Sequence, residues 1–331
     1  MKQEKPYEDI SLLDFQDKFS TEQICWDYLV KMRWPDGVKC CHCVDSKLDF
    51  IQTRKVFECR RCHKQVYATA GTIFHKSRVP LRKWFWAIYL MATSKKGVSM
   101  LYLQNQLELG SYHTAWSMGH KIRQAMIQRD SLYTLGGTVE TDEIFIGGKQ
   151  SLDERRSKGD NKTPFLIAVE ENPDGGPRFL SFEELESIYE EHVVPAIKKH
   201  VRTGSKIKSD GSGVYVKAQK EGYKLDRSVA MREPEKTHEH LKWINIITSN
   251  LKRYLLSTHH GVFPKYRKVF LAEFAYRFNR RYWPNQAFDR LLYACIYATP
   301  TPLLCYVPNQ KLHRPLGLVL AKFGGVVLNM G

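Results

Sequence analysis

The sequence predicts an α/β fold class, in which a mixed sheet flanked by helices follows two smaller modules. Three observations support this prediction. Two Cys-x-x-Cys pairs lie near the N-terminus. Apolar residues then recur at helical spacing between residues 80 and 128. After Gly136-Gly137 the pattern changes to short apolar segments bounded by turn residues, which is typical of strands. A chain of 331 residues is long enough for two or three domains.

Residues 1–36 are predicted to form a helical lead-in. Ser20 or Thr21 can cap a helix, which Pro35-Asp36-Gly37 then ends. The first residues are polar and acidic, without the apolar region of a signal peptide. No stretch approaches about 18 uninterrupted apolar residues. We therefore expect a cytoplasmic protein without a membrane partner.

Residues 37–75 are predicted to form a zinc ribbon. Cys40 and Cys43 form one pair, Cys59 and Cys62 form the other, and 15 residues separate the two. This spacing lets four thiolates close a tetrahedron around a structural Zn²⁺ ion. Without an export signal, the pattern favours zinc over disulfides. Basic residues flank the pairs, so the module either contacts DNA or only stabilises the N-terminal fold.

Residues 78–130 are predicted to be helical and to include a helix-turn-helix. A helix from Pro80 to Ser94 is followed by two helices that a turn at Gly110 separates. An ordinary helical hairpin is the alternative. In a DNA-binding unit the second helix enters the major groove. Its exposed candidates are Tyr112, His113, His120, Lys121 and Arg123.

Residues 136–300 are predicted to form the α/β domain. The expected order is three strands, a helix, a fourth strand and further helices, over 138–146, 164–170, 177–182, 183–200, 205–209, 237–256 and 264–281. This order is compatible with a ribonuclease-H-like domain. Residues 301–331 form a tail to which we assign no role.

Two aspartates in this domain are candidates for a metal site. Asp142 lies within an apolar strand, with Glu140 on the same face and Glu143 on the opposite face. Asp210 ends a later strand, where it could equally begin a turn. A carboxylate in an apolar strand needs a metal ion or hydrogen bonds. For the two glutamates, a solvent-facing strand edge is the alternative.

A polar helix face follows the second aspartate. Asn245 lies 35 residues after Asp210, and Lys252 lies seven residues later on the same helix face. An amide oxygen can bind Mg²⁺, but a hydrogen-bonded amide in the core is the alternative. Glu235 and Glu239 are rival third carboxylates, although Glu239 projects from another face of the helix.

The net charge of +16 indicates a polyanionic partner, most plausibly nucleic acid. A basic protein without such a partner is the alternative. Aromatic residues lie among the basic ones throughout the chain, which suits nucleic-acid contacts but is also ordinary core composition.

Over about residues 30–300, the chain resembles bacterial insertion-sequence transposases of the DDE type, specifically the zinc-ribbon-headed ISXO-like group. The segments that carry the resemblance include RWPDGVKCCHC, ECRRCHKQ, VETDEIFIGGK, SDGSGVY, WINIITSNLKR and EFAYRFNRRYWP. Some members of the group have Asn as the third catalytic residue, followed by Lys. The resemblance implies a catalytic triad of Asp142, Asp210 and Asn245 that binds Mg²⁺ or Mn²⁺, with two ions expected. Lys252 is then its basic companion.

The resemblance also implies a function and partners. Glu273 and Arg277 match the group's Glu/Arg signature on the last helix, and Arg253 becomes a candidate contact to the DNA backbone. The expected protein is a transposase that binds terminal inverted repeats and catalyses Mg²⁺-dependent DNA cleavage and strand transfer. It would act on double-stranded element ends and target DNA, as at least a dimer, and would be a nucleoid-associated protein of the bacterial cytoplasm. Two alternatives remain: an inert, element-derived DNA-binding regulator, and a ribonuclease-H-like nuclease without strand transfer.

Overall fold

A computed structural model describes residues 10–43, 47–147, 162–228 and 239–300. Glu235 and the tail 301–331 lie outside the described residues. Two helices form the lead-in, α1 (Leu12–Lys18) and α2 (Glu22–Arg33). Thr21 caps α2 as predicted, because its hydroxyl accepts a hydrogen bond from the N–H of Ile24 at 3.2 Å.

The cysteine-bearing segment folds into three antiparallel strands, β1 (Leu48–Ile51), β2 (Val56–Cys59) and β3 (Gln65–Tyr67). Trp26 of α2 packs on this small sheet, with its ring 4.8 Å from that of Phe50 and 5.6 Å from that of Phe57. The lead-in helix and the cysteine segment therefore share an aromatic contact.

Three helices follow, α3 (Leu81–Thr93), α4 (Met100–Gln106) and α5 (Tyr112–Asp130). Ser99 and Ser111 cap α4 and α5 by accepting a hydrogen bond from the backbone N–H of the third residue of each helix. Of the five apolar positions of α5 that its helical period assigns to the core, Ala115, Met118, Ile122 and Met126 are buried, whereas Trp116 is only partly buried. The two predicted helices and the turn are present, but α5 is buried along most of its length.

The predicted mixed sheet is confirmed. Its strands are β4 (Thr138–Gly147), β5 (Lys162–Glu171), β6 (Pro177–Glu184), β7 (Lys206–Asp210) and β8 (Lys224–Ser228). The order is β6-β5-β4-β7-β8; β4, β5 and β6 pair antiparallel, whereas β4, β7 and β8 pair parallel. Strand β8 was not predicted.

Helices cover both faces of this sheet. On one face, Val139 and Ile207 share a core with α6 (Glu190–His200) and α7 (Val214–Lys220). On the other, Ile144 and Ile146 share a core with α8 (Lys242–His259) and α9 (Arg267–Asn279). A further helix, α10 (Ala287–Tyr297), packs with α3 and α5. Because side chains alternate along a strand, even-numbered residues of β4 face α8, and odd-numbered residues face α7.

Among the described helices, none combines the length and the apolar character that a membrane span requires.

Candidate functional site

The four predicted zinc ligands converge. The Sγ atoms of Cys40, Cys43, Cys59 and Cys62 all lie within 4.8 Å of one another. Individual sulfur pairs are 3.4 to 3.6 Å apart. A regular tetrahedron with a Zn–S distance of about 2.3 Å has edges of about 3.8 Å. The site therefore fits a single Zn²⁺ ion. Within the described residues, no other group of three or more His, Cys, Asp and Glu side chains is so close.

The backbone of the first cysteine pair favours the thiolate that a metal ion needs. Hydrogen bonds from the backbone N–H groups of Cys43 and His42 lower the pKa of Cys40 to about 6. The N–H of His42 lies 3.4 Å from the Cys40 sulfur. A thiolate at neutral pH is the form that binds Zn²⁺.

The strand register brings the two aspartates together. In the parallel pair of β4 and β7, Thr138 lies opposite Lys206 and Glu140 lies opposite Lys208. The pairing ends there, and Asp142 and Asp210 lie two residues further along their strands, near enough for the charge of Asp210 to raise the pKa of Asp142. Both are partly buried, and both follow the even-numbered pattern that faces α8.

The aspartate pair carries negative charge that the protein does not fully compensate. Burial and, to a smaller extent, the nearby charge of Asp210 raise the pKa of Asp142 to about 6, although the hydrogen bond from the N–H of Glu143 opposes both effects. That N–H lies 2.9 Å from Asp142 Oδ1, and the N–H of Ser212 lies 3.0 Å from Asp210 Oδ1. Mg²⁺ is commonly bound by one or two carboxylates, with water and substrate phosphates as its other ligands. The donor set fits such an ion.

Helix α8 presents Asn245 at the surface. The side chain is exposed, so the alternative of a buried core amide is wrong. Its neighbour Ile244 donates its N–H to Glu140 Oε2 at 2.9 Å. Because Glu140 and Asp142 share a face of β4, this bond ties the start of α8 to the strand that carries Asp142. Lys252 is exposed on the same helix face as Asn245.

Neither glutamate beside Asp142 is a solvent-facing strand residue. Glu140 is only 1% exposed, and burial raises its pKa to about 7. Glu143 is partly buried on the α7 face, where Tyr215 donates its hydroxyl to Glu143 Oε1 at 2.6 Å. Tyr215 is completely buried and lies five residues after Asp210. Sequence reasoning missed Tyr215, although an acid on a covered strand face signals that a donor is needed.

The Glu/Arg signature lies in a buried ion cluster. Arg123 Nε donates to Glu273 Oε2 at 2.6 Å, and Arg277 Nη2 lies 3.6 Å from Glu273 Oε1. Glu273 is completely buried, and Arg123 and Arg277 hold its pKa below the usual range although burial opposes them. The carboxylate that the resemblance assigned to catalysis is therefore neutralised by two arginines inside the fold. Its catalytic role stays a prediction.

Two residues of α5 that were predicted to be exposed for DNA contact are buried. His120 is 1% exposed and Arg123 is 0% exposed, because α5 packs between the N-terminal helices and α9. Lys121 is partly buried. Tyr112 and His113, in the first turn of α5, are exposed as predicted, and so is Arg253 of α8. The end of a recognition helix that usually contacts bases is its N-terminal end, which is the end exposed here.

Two protein-family models match the chain. One, described as an ISXO2-like transposase domain, matches residues 134–279, and one described as a transposase zinc-ribbon domain matches residues 20–65. A relative from Halobacterium salinarum is described as an uncharacterized protein in transposable element ISH50, and it is 28% identical over 148 residues. These residues are 43% of this chain and 49% of the relative, so the match spans about half the length of that protein.

Proposed function

We propose that the chain is the DNA transposase of an insertion sequence, because residues 134–279 match an ISXO2-like transposase domain and residues 20–65 match a transposase zinc-ribbon domain. It binds the terminal inverted repeats of the element and catalyses metal-dependent DNA cleavage and strand transfer. We assign its α/β domain to the ribonuclease-H-like class and the α4–α5 pair to the helix-turn-helix class. The observation that carries the proposal is that Asp142 and Asp210 both lie two residues beyond the paired segments of β4 and β7, with α8 tied to β4 through Glu140.

Each residue of the site has a distinct role in this proposal. Asp142 and Asp210 hold Mg²⁺ or Mn²⁺ with their carboxylates, and Asn245 adds a neutral amide oxygen. Lys252 binds a phosphate close to the reacting bond. When bound, two such ions activate the attacking oxygen and stabilise the leaving oxygen. The four cysteines hold Zn²⁺ and stabilise the N-terminal module. Two element ends have to be joined, so the working form is at least a dimer.

A strand-transfer assay tests this proposal. Purified protein is incubated with a labelled terminal-repeat duplex and a supercoiled target, with and without Mn²⁺, beside the variants Asp210→Ala and Asp174→Ala. Asp174 lies in the exposed β5–β6 turn and serves as the matched control. We expect metal-dependent transfer by the wild type and by the control, and none by Asp210→Ala.

Other outcomes identify the alternatives. Cleavage of the repeat without joined products would indicate a nuclease. Binding to the repeat without metal-dependent cleavage would indicate an inert regulator. Both aspartates are retained, which favours the enzyme over the regulator.

A further inference from the structure

The positive charge of the chain is concentrated in two segments that contain no acid. Residues 59–107 include nine lysines and arginines and no aspartate or glutamate. Residues 240–272 include six lysines and arginines and again no acid. The net charge of the whole chain is +16, so these two segments supply nearly all of it. Their surfaces must be positive wherever the side chains reach solvent.

The two acid-free segments meet at the C-terminal end of α8. Thr258 donates its hydroxyl to the carbonyl of Lys96, and Arg277 donates to the carbonyl of Ser94. Gly97 has a φ of +80°, and a Cβ at this position would lie 2.4 Å from Cε2 of Tyr254. The loop that carries Lys95 and Lys96 is therefore seated directly on the helix that carries Asn245 and Lys252.

The first turn of α5 lies at the same end of α8. After α8, a one-turn helix (Pro264–Tyr266) brings the ring of Tyr266 to 5.2 Å from that of Trp116 in α5. Trp116 in turn lies 6.0 Å from Tyr112, in the exposed first turn. Between α8 and this one-turn helix, Phe263 is 75% exposed. Apart from Glu108, residues 94–117 contain no acid.

The buried Glu273 cluster fixes these parts relative to each other. Arg123 belongs to α5, and Glu273 and Arg277 belong to α9. Arg277 also bonds the loop through Ser94 and stacks its guanidinium on the Tyr254 ring of α8 at 4.9 Å. The cluster thus joins α5, α8, α9 and the loop beneath the surface that they share.

Basic residues on this surface are not neutralised, in contrast to those on the opposite side of the sheet. Among the described residues, Lys95, Lys96, Lys252, Arg253 and Lys265 form no ion pair. On the α6–α7 side, carboxylates pair with lysines of both helices, as in Lys198–Glu221 at 2.6 Å and Lys217–Glu190. An unpaired lysine releases a counterion when it meets a phosphate, whereas a paired lysine must first give up its carboxylate.

We propose that double-stranded DNA docks on this basic surface, defined by Lys95, Lys96, Lys252, Arg253 and Lys265, and that the Lys95–Lys96 loop grips its phosphate backbone. The duplex lies along the Asn245–Lys252 face of α8 and reaches the first turn of α5. The inference rests on the proposed function, since that function supplies DNA as the partner.

The test compares two double variants that remove the same charge. Lys95→Ala/Lys96→Ala removes the loop lysines, and Lys198→Ala/Lys217→Ala removes two ion-paired lysines of the opposite side. Fluorescence anisotropy with a labelled random-sequence DNA duplex measures affinity between about 50 and about 200 mM salt. We expect the loop variant to bind more weakly and to lose about 1.8 from the slope of log K against log salt, at about 0.9 for each phosphate contact. The control should keep the wild-type slope.

The outcomes separate this inference from the proposed function. If the wild type binds no DNA, the proposed function itself fails. If the wild type binds DNA and the loop variant keeps its affinity and slope, the docking surface is wrong while the proposed function stands. An equal loss in both variants would show that only net charge matters and would also overturn the docking surface. Unchanged zinc content and circular dichroism establish that both variants are folded.

Discussion

Glu140 connects the strand that carries Asp142 to the helix that carries Asn245, so its removal should affect both stability and activity. The N-cap of α8 has no side-chain hydrogen bond of its own, and Glu140 Oε2 accepts the N–H of Ile244 from 104 residues away. Replacing an N-cap acceptor with alanine costs about 0.5–2 kcal/mol. A buried donor left without a partner costs about 1–3 kcal/mol.

We therefore expect Glu140→Ala to lower the free energy of unfolding by about 1–3 kcal/mol, measured by urea denaturation. Glu140→Gln keeps an oxygen acceptor and should lose much less. Glu171 lies close enough to raise the pKa of Glu140, in addition to the larger effect of burial, so the neutral amide also removes a repulsion. Equal losses in the two variants would refute the role of the hydrogen bond.

Activity provides the sharper readout, because Asn245 directly follows Ile244. In a double-mutant cycle of Glu140→Ala and Asn245→Ala, we expect the two effects on the single-turnover cleavage rate to couple by about 0.5–3 kcal/mol. Once α8 has shifted, removing the amide costs little more. A purely stabilising Glu140 would instead give additive effects, and additivity would refute the reasoning that Glu140 positions Asn245.

Three further predictions follow from the buried groups and the cysteine site. Tyr215→Phe removes only the hydroxyl that donates a hydrogen bond to Glu143 at 2.6 Å. It should lower the free energy of unfolding by about 1–3 kcal/mol, measured by urea denaturation. An unchanged midpoint would contradict the role of this bond. Chelation should release one Zn²⁺ per chain and change the fluorescence of Trp26, which packs on the ribbon; Cys59→Ser should show the changed signal before chelator is added. Burial lowers the pKa of His259 to about 4 and that of His120 to about 3. The unfolded state then binds more protons below pH 6.5, so stability should fall as pH decreases from about 6.5 to about 4, by up to about 1.4 kcal/mol per pH unit for each histidine. His259→Gln should reduce by one the number of protons taken up on unfolding, and so make the stability depend less steeply on pH. A slope equal to that of the wild type would contradict this role of His259.

Local patterns predicted the parts of the fold whose cause is local. The spacing of the cysteines is sufficient to place four sulfurs around one ion, and the apolar positions of α5 follow its helical period. Strand β8 was missed because it lies at the edge of the sheet, and its sequence, KLDRS, does not alternate apolar and polar residues. Parallel pairing with β7 forms it, and that partner is separated from it by a helix.

Long-range partners explain the errors at the site. Arg123 looks exposed in its own helix, because a charged residue on a helix usually faces solvent. Its partner Glu273 lies 150 residues later. Only the packing of α5 against α9 brings the two together, and their ion pair then compensates the cost of burying the charge of Arg123. The roles of Glu140 and Glu143 also depend on distant groups, the N–H of Ile244 and the hydroxyl of Tyr215. No spacing near Asp142 reveals either.

The number of divalent ions bound per chain tests the central claim most directly, which is that Asp142 and Asp210 form a metal site for DNA cleavage. Mn²⁺ is titrated into a complex of the zinc-loaded protein with terminal-repeat DNA. Electron paramagnetic resonance measures the Mn²⁺ that stays free, and the difference from the total gives the bound ions. For the wild type we predict about two bound ions per chain. For Asp142→Asn and Asp210→Asn we predict fewer ions or much weaker binding, while Asp174→Asn should match the wild type. Equal Mn²⁺ binding by all four proteins would contradict the account.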